Sequence, residues 1–401
     1  MSRMARRTFG AGRGHVTALA VDGVASSAVA AIRDRVRDAA SRRVPLRVVG
    51  AGTWLDAGRP TAHAEPLPVR DTAGIVAYVP GDLTLTAGAG TTLAEVRDAT
   101  SKHGQWLALD PYGSDEGTLG ATLATASSGP LATAFGTPRD LTLGVEFVTG
   151  AGVIARGGGR VVKNVAGFDL TRLMIGSWGT LGILTEVTVR LHAKPQCDET
   201  FALTLASDAD VARTRELLRR MPFTPYACEI VNGRLAQQLL GVDELTALVR
   251  LGGNDEAVTA QRAALGALGE PRPVDPAVWK ALRQCEPSDA LVLRLSQLPS
   301  EIGRTWSEAS AIADSCAGTL LHAAPARGIV RCIVPATETN VAWLHRAFRS
   351  PMMSTRVGER MPAALWTELA APPTGDAVSV GIKRAFDPQS ILNRGIRGEP
   401  A

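Results

Sequence analysis

The sequence predicts an α+β chain: a mixed α/β unit over residues 24–195, followed by an antiparallel α+β unit over residues 196–370. Three observations predict it. Short β-prone runs alternate with amphipathic helical stripes along the whole chain. Glycines gather between residues 50 and 182, which marks a region where backbone must approach something closely. Past Pro195 the texture becomes two rounds of strand, helix, strand and strand, a pattern that builds an antiparallel sheet with helices on one face. Residues 1–23 show no clear period and read as a partly mobile N-terminal segment. Residues 371–401 form a C-terminal segment opening on the linker-like Pro372 to Gly375.

Each element has a local reason. Val24, Ala28, Ile32, Val36 and Ala39 recur at three- to four-residue spacing, which predicts a helix over 24–43. A strand over 45–49 follows and runs into Gly50-Ala51-Gly52-Thr53. Residues 83–87 read as a strand, and Leu93, Val96 and Ala99 as a helix ended by Gly104. A further strand is expected at 106–109. Residues 143–148 and 153–156 read as a hairpin around Thr149-Gly150-Ala151-Gly152. Alternation at Ile183, Thr185, Val187, Val189 and Leu191 predicts the last strand of the first unit. In the second unit, strands are expected at 201–205, 227–231, 247–251, 290–295, 319–322 and 329–334. Helices are expected near 208–220, 255–268, 300–316 and 337–349. The proline-marked segment 270–287 reads as a connection or lid, and a last helix as 376–385.

Composition narrows the function classes. The 401 residues are 45% hydrophobic and 20% charged, enough apolar mass for real cores. The net charge of +4 reflects arginines near the N-terminus, and no zinc-finger or RNP pattern accompanies them, so nucleic acid is not an expected partner. Cys197, Cys228, Cys285, Cys316 and Cys332 are odd in number and far apart, which argues against a disulfide framework, a metal site or an iron–sulfur site in this chain. No run approaches the ~18 apolar residues of a membrane span. Arg6-Arg7 faintly resembles a twin-arginine export signal, but the apolar stretch after it stops at Asp22, so export is not expected.

The glycine loops carry the chemistry. Gly50-Ala51-Gly52-Thr53 lacks the third glycine of a dinucleotide fingerprint, since position 55 is Leu, and no Walker pattern occurs. What remains is a small-residue loop whose N–H groups could cradle a pyrophosphate; read alone, it is as consistent with a plain tight turn. A second constellation runs from Pro111-Tyr112-Gly113 through Gly117-Thr118-Leu119-Gly120 and 124–129 to Phe135-Gly136. The third and densest spans 163–183, with Asp169 as N-cap of a short helix carrying Leu170, Leu173 and Met174. Its glycines at 176, 179 and 182 leave a surface that can lie against a planar or phosphorylated ligand; close backbone packing is the plainer alternative.

Taken together and in this order, these motifs resemble the PCMH-type FAD-binding flavoproteins, the family of vanillyl-alcohol oxidase and D-lactate dehydrogenase. The resemblance covers 44–195 plus the tail Lys383 to Gly395. It implies a two-part FAD-binding domain over 24–195, a cap or substrate domain over 196–370, and a C-terminal segment, 371–401, that returns to the FAD domain. It implies that Gly50, Ala51, Gly52, Thr53 and Trp54 form the pyrophosphate loop. Pro111, Thr118, Leu119, Gly120, Ala124, Ser128, Gly129 and Gly136 would line the flavin, and Gly179, Gly182 and Ile183 would close over it. Relatives with covalent flavin carry a histidine in or near the first loop; residues 50–58 have none, so noncovalent FAD is expected. Ser128-Gly129-Pro130, Arg139-Asp140, Leu143-Gly144-Val145 and Lys163 to Gly167 are similar to the FAD-binding subunits of bacterial glycolate oxidases. That likeness implies a second flavoprotein subunit and an iron–sulfur subunit as partners. The implied location is the cytoplasm, with peripheral attachment to the inner membrane through partners left open.

The implied reaction moves hydride from the α-carbon of a 2-hydroxy acid to flavin. It needs a base for the hydroxyl proton and a cation for the carboxylate. The six histidines are scattered, so no metal cluster is expected. His322, at the end of a predicted strand, is the candidate base, with an ordinary strand-end histidine as the competing reading. Arg327 and Arg331 could pair a carboxylate or be plain surface residues. Three functions stay open: the FAD-binding subunit of a glycolate-oxidase-type complex, a self-sufficient FAD-dependent D-lactate or 2-hydroxy-acid dehydrogenase, and a non-catalytic scaffold subunit.

Overall fold

A computed structural model gives the architecture and describes residues 6–9, 16–20, 26–61, 63–159, 169–349, 352–370 and 376–398. In chain order the strands of the first part are β1 (Arg6–Phe9), β2 (Val16–Ala20), β3 (Leu46–Val49), β4 (Glu65–Pro68), β5 (Ile75–Val79), β6 (Thr84–Gly88), β7 (Gln105–Trp106), β8 (Thr142–Val148), β9 (Ile154–Gly158), β10 (Ile183–Arg190) and β11 (His192–Ala193). Seven of them make one sheet in the order β1-β2-β9-β8-β10-β6-β5, with antiparallel neighbours throughout. The expected hairpin is β8–β9. The segment 1–23, without a period of its own, supplies β1 and β2 to the sheet edge, because pairing to a distant strand leaves no local signature.

Helices Leu93–Ser101, Leu119–Thr125 and Leu170–Met174 cover this sheet over a core that includes Leu85, Val145, Phe147, Val187 and Val189. Thr92 caps the first of them with a capping box to Glu95, and Asp169 caps the third as expected. Helix Ser27–Arg42 buries Val29, Ile32, Val36 and Ala39 against the parallel pair β3–β4 and against Ile391 and Leu392 of the tail. Of the expected stripe Ile32, Val36 and Ala39 are buried, Val29 takes the place of the half-buried Ala28, and Val24 lies outside the described residues. The tail is tied in by backbone: Leu46 N–H donates to the Ile391 carbonyl at 2.7 Å and Asn393 N–H to the Leu46 carbonyl at 2.9 Å.

The second part carries β12 (Cys197–Thr204), β13 (Ala227–Val231), β14 (Thr246–Gly253), β15 (Arg272–Pro273), β16 (Leu291–Ser296), β17 (Leu320–Ala324), β18 (Ile329–Val334) and β19 (Thr355–Arg360). They form one sheet in the order β15-β12-β14-β13-β17-β18-β16-β19. The two sequence rounds appear as β12-β14-β13 and β16-β18-β17, joined where Val231 pairs with His322. Helices Ala209–Arg220, Asp255–Leu265, Ile302–Ser315 and Glu338–Ala347 share the larger core with this sheet. The other face is also covered, contrary to the one-face expectation. Leu235 and Ala236 of helix Gly233–Leu240 and Val278, Trp279 and Leu282 of helix Val278–Arg283 pack there. The latter helix lies inside the proline-marked segment read as a connection. The linker-like 372–375 and the motif stretch 163–168 fall outside the described residues.

Candidate functional site

Strand β3, the turn after it, the loop 111–118, helix Leu119–Thr125 and residues 178–184 enclose a cleft in the first part. Gly50, Ala51, Gly52, Thr53, Trp54, Pro111, Thr118, Gly120, Ala124, Gly179, Gly182 and Ile183 line it. Four residues named from sequence lie elsewhere. Leu119 is fully buried in the core, and Ser128 lines a neighbouring cavity. Gly129 packs on the Asp110 backbone and Gly136 on the Asp140 side chain.

The glycines here have steric causes. A Cβ on Gly50 would stand 2.4 Å from Thr118 Oγ1, so only glycine lets the turn approach the next helix. Gly179 is in the left-handed region at φ +67°, and a Cβ there would meet Asn393 Nδ2 at 2.8 Å. Asn393 ties the tail to the cleft. Its Nδ2 donates to the Trp178 carbonyl at 2.7 Å and its Oδ1 accepts from Val48 N–H at 2.8 Å. Trp178 itself has φ +56° and stacks on Trp54 with ring centroids 6.5 Å apart.

Among the described residues, three buried polar atoms around the cleft have no hydrogen-bond partner: Arg47 Nη1, Trp54 Nε1 and Ser127 Oγ. Small lining residues and unpaired donors suit a flat, phosphorylated ligand. Sequence reading did not single out Arg47 or Ser127. Alternation opposite the buried Leu46 was the available signal for Arg47.

A cavity of about 490 Å³ lies next to the cleft, between the two parts. Trp54, Tyr112, Thr125, Ser127 and Trp178 line both spaces. His322 lines the cavity and is 1% exposed. It sits inside β17 and does not end it, because the strand continues through Ala323 and Ala324. Its Nδ1 lies 2.9 Å from Glu229 Oε2, and its Nε2 has no partner. Tyr112 reaches over from the first part, 5.4 Å from the imidazole and 3.6 Å beneath the Arg331 guanidinium. Burial pushes the Tyr112 phenol well above its usual range, and the charge of Glu229 adds to the shift.

The cavity arginines differ in their freedom. Arg331 is 1% exposed, so the surface reading does not hold. It is bound to Glu286 at 2.5 Å and to Glu359 at 2.9 and 2.5 Å. Burial would depress its pKa, but those two carboxylates outweigh it and hold the guanidinium charged. Arg294 also pairs with Glu359, at 2.9 Å. Arg327, by contrast, donates to Ser128 Oγ at 3.1 Å and has no carboxylate partner among the described residues. No group of three or more His, Cys, Asp or Glu among the described residues is placed to hold a metal. No helix there is long and apolar enough to cross a membrane.

A cleft of small residues thus lies beside a cavity walled by both parts, each part carried on its own sheet. A family profile described as "FAD binding domain" matches residues 24–158. The chain is 41% identical over 168 residues to glycolate oxidase subunit GlcE of Escherichia coli, covering 41% of this chain and 47% of that one. It is 36% identical over 171 residues to glycolate oxidase subunit GlcD of Bacillus subtilis, covering 42% and 36%. It is 30% identical over 199 residues to a D-lactate dehydrogenase of Archaeoglobus fulgidus, covering 49% and 44%. The chain thus spans less than half the length of each of these relatives. Two solved structures share the fold: p-cresol methylhydroxylase with substrate bound, at TM-score 0.70 and 16% identity over 95% of this chain and 88% of that one, and 4-ethylphenol oxidase from Gulosibacter chungangensis, at 0.69 and 16% over 92% and 87%.

Proposed function

We propose that the chain is an FAD-dependent oxidoreductase of small 2-hydroxy acids, working as the FAD-binding subunit of a glycolate-oxidase-type complex. The observation that carries this reading is the shared wall of cleft and cavity, which sets a ligand in the cleft directly beside a buried imidazole. When bound, FAD supplies the hydride acceptor. His322 Nε2 is the atom suited to take the hydroxyl proton, since Glu229 at Nδ1 favours the tautomer with a free Nε2 lone pair. Arg327, held only by a serine hydroxyl, is the cation suited to the substrate carboxylate. Noncovalent FAD belongs to this reading, and among the described residues the cleft lining contains no histidine or cysteine. The similarity to glycolate oxidase subunits supports work within a multi-subunit complex, and the second flavoprotein and iron–sulfur subunit are the partners that the sequence resemblance implies. A base and a free cation in one chain also support the self-sufficient dehydrogenase as a second reading.

The test is an absorption spectrum of the purified chain, repeated on the supernatant after acid or heat denaturation. Turnover of 2-hydroxy acids with an artificial acceptor follows, for the chain alone and with its partners. Flavin bands that move into the supernatant, with turnover only in the complex, are expected. Turnover by the chain alone selects the second reading, and a colourless protein that takes up no added FAD overturns both.

A further inference from the structure

Arg47 is a charge without a counter-charge. It follows the fully buried Leu46 in β3, so alternation turns it from the core beneath helix Ser27–Arg42 to the cleft. Its Nη2 makes one long bond, 3.4 Å, to the Leu55 carbonyl. Its Nη1 is buried and has no hydrogen-bond partner, and no carboxylate pairs with it among the described residues. Burial holds its pKa below the usual value, with no opposing charge to offset it. A half-buried guanidinium with one buried, unpartnered N–H group is costly to keep unless an anionic acceptor meets it.

The surroundings say which anion. Arg47 lines the cleft but not the His322 cavity, so a substrate carboxylate is not what it faces. The Leu55 carbonyl holds the guanidinium next to the turn Gly50 to Trp54, and Trp54 Nε1 is a second donor there without a partner. A guanidinium matches phosphate oxygens in fork geometry and stays charged at every working pH. We propose that Arg47 is a phosphate-binding residue that pairs with the diphosphate of the dinucleotide in the cleft. The inference rests on FAD as the occupant of that cleft.

The experiment titrates the full-length apo chain with FAD, ADP and riboflavin, for wild type, Arg47→Gln and Arg47→Lys, and records melting curves with and without FAD. Arg47→Gln is expected to weaken FAD and ADP alike, by about tenfold to a hundredfold, and to leave riboflavin unchanged. Arg47→Lys falls between, since it keeps the charge and loses the fork. The apo Arg47→Gln chain melts no lower than apo wild type, because it has lost an unpaired charge, yet saturating FAD raises its melting temperature less. Equal FAD and ADP affinity in wild type and Arg47→Gln overturns the assignment alone. An apo variant that melts lower and loses riboflavin binding as well makes Arg47 structural and overturns it too. A wild-type chain that binds neither FAD nor ADP fells the FAD reading and the assignment together.

Discussion

His322 and Glu229 are both 1% exposed and 2.9 Å apart, yet their proposed roles differ. The imidazole offers Nε2 to the cavity, and the carboxylate fixes its orientation. His322→Asn should therefore slow flavin reduction by the substrate by about 10²–10⁴-fold with flavin content unchanged. Glu229→Gln should cost less, since the imidazole stays. Stopped-flow reduction at the wild-type rate in His322→Asn would remove the base from this site. Asp110 makes a pH-dependent case. Desolvation pushes its carboxyl up to about 7, while Arg283 and the Leu131 amide pull the other way. The stability it contributes is full below the ordinary carboxylate pKa of about 4, falls as pH rises toward 7, and is gone above. Asp110→Asn, neutral throughout, should gain about 1 kcal/mol on wild type between pH 5 and pH 8, a figure discounted for the half-buried position. Melts at the two pH values check it, and an equal difference at both refutes it. At this scale the sequence is legible where the cause is local. Asp169 caps its helix from neighbours in the chain, whereas Arg47 and Glu229 acquire meaning only from what lies across from them.

The element that joins cap to cofactor cleft is helix Val278–Arg283. Its apolar face is fixed on the second sheet by Val278, Trp279 and Leu282, which aims its last residue at the loop 111–115. Arg283 Nη1 donates to the Pro111 carbonyl at 2.9 Å and Nη2 to Asp115 Oδ1 at 3.2 Å. Its own carbonyl accepts from Gly113 N–H at 2.8 Å. Pro111, Tyr112 and Gly113 line the cleft, so the helix end sets the shape of its wall. Arg283→Gln should weaken FAD by about tenfold, and the loss should not add fully to that of Asp115→Asn, since the two share one bond. Fluorescence titration of the single and double variants checks this, and additive losses would mean that the clamp does not act as a unit. Strands and helices with strong periods were readable to within a few residues; β13, β14, β16, β17, β18 and the four larger helices follow the expected spans, while β12 starts four residues early and β15 was not expected. Three of the elements that were not readable share a reason. Glu65–Pro68 contains two prolines, Thr355–Arg360 alternates little and is polar, and Val278–Arg283 is a short helix among prolines. Each is set by contacts that no local pattern records.

Across the whole molecule, a chain of charges links the two parts. Asp56 pairs with Arg360 at 2.7 Å, Arg360 with Glu286 at 3.5 Å, and Glu286 with Arg331, whose guanidinium lies over Tyr112. Partners such as Asp56 and Arg360 stand 304 residues apart, so the network could not be read from spacing, although the glycine motifs that frame the cleft could. Glu286 holds the centre, with its side chain 4% exposed between the buried Arg331 and the partly buried Arg360. Glu286→Gln leaves those arginines short of one negative charge in a site that water scarcely reaches. The cost of such a half-broken buried pair is about 3–5 kcal/mol, which for a chain of this size is a fall in Tm of roughly 5 °C. Because Arg331 rests on Tyr112 and Tyr112 lines both spaces, the same substitution should loosen FAD as well as lower Tm. Leu265→Ala is the control. It removes packing from the core of the second part alone and should lower Tm without changing FAD affinity. If Glu286→Gln melts like wild type at low and high salt alike, water reaches Arg331 and the two parts are held by packing alone. If it melts lower but keeps its FAD affinity, the charges stabilise the interface without shaping the cleft.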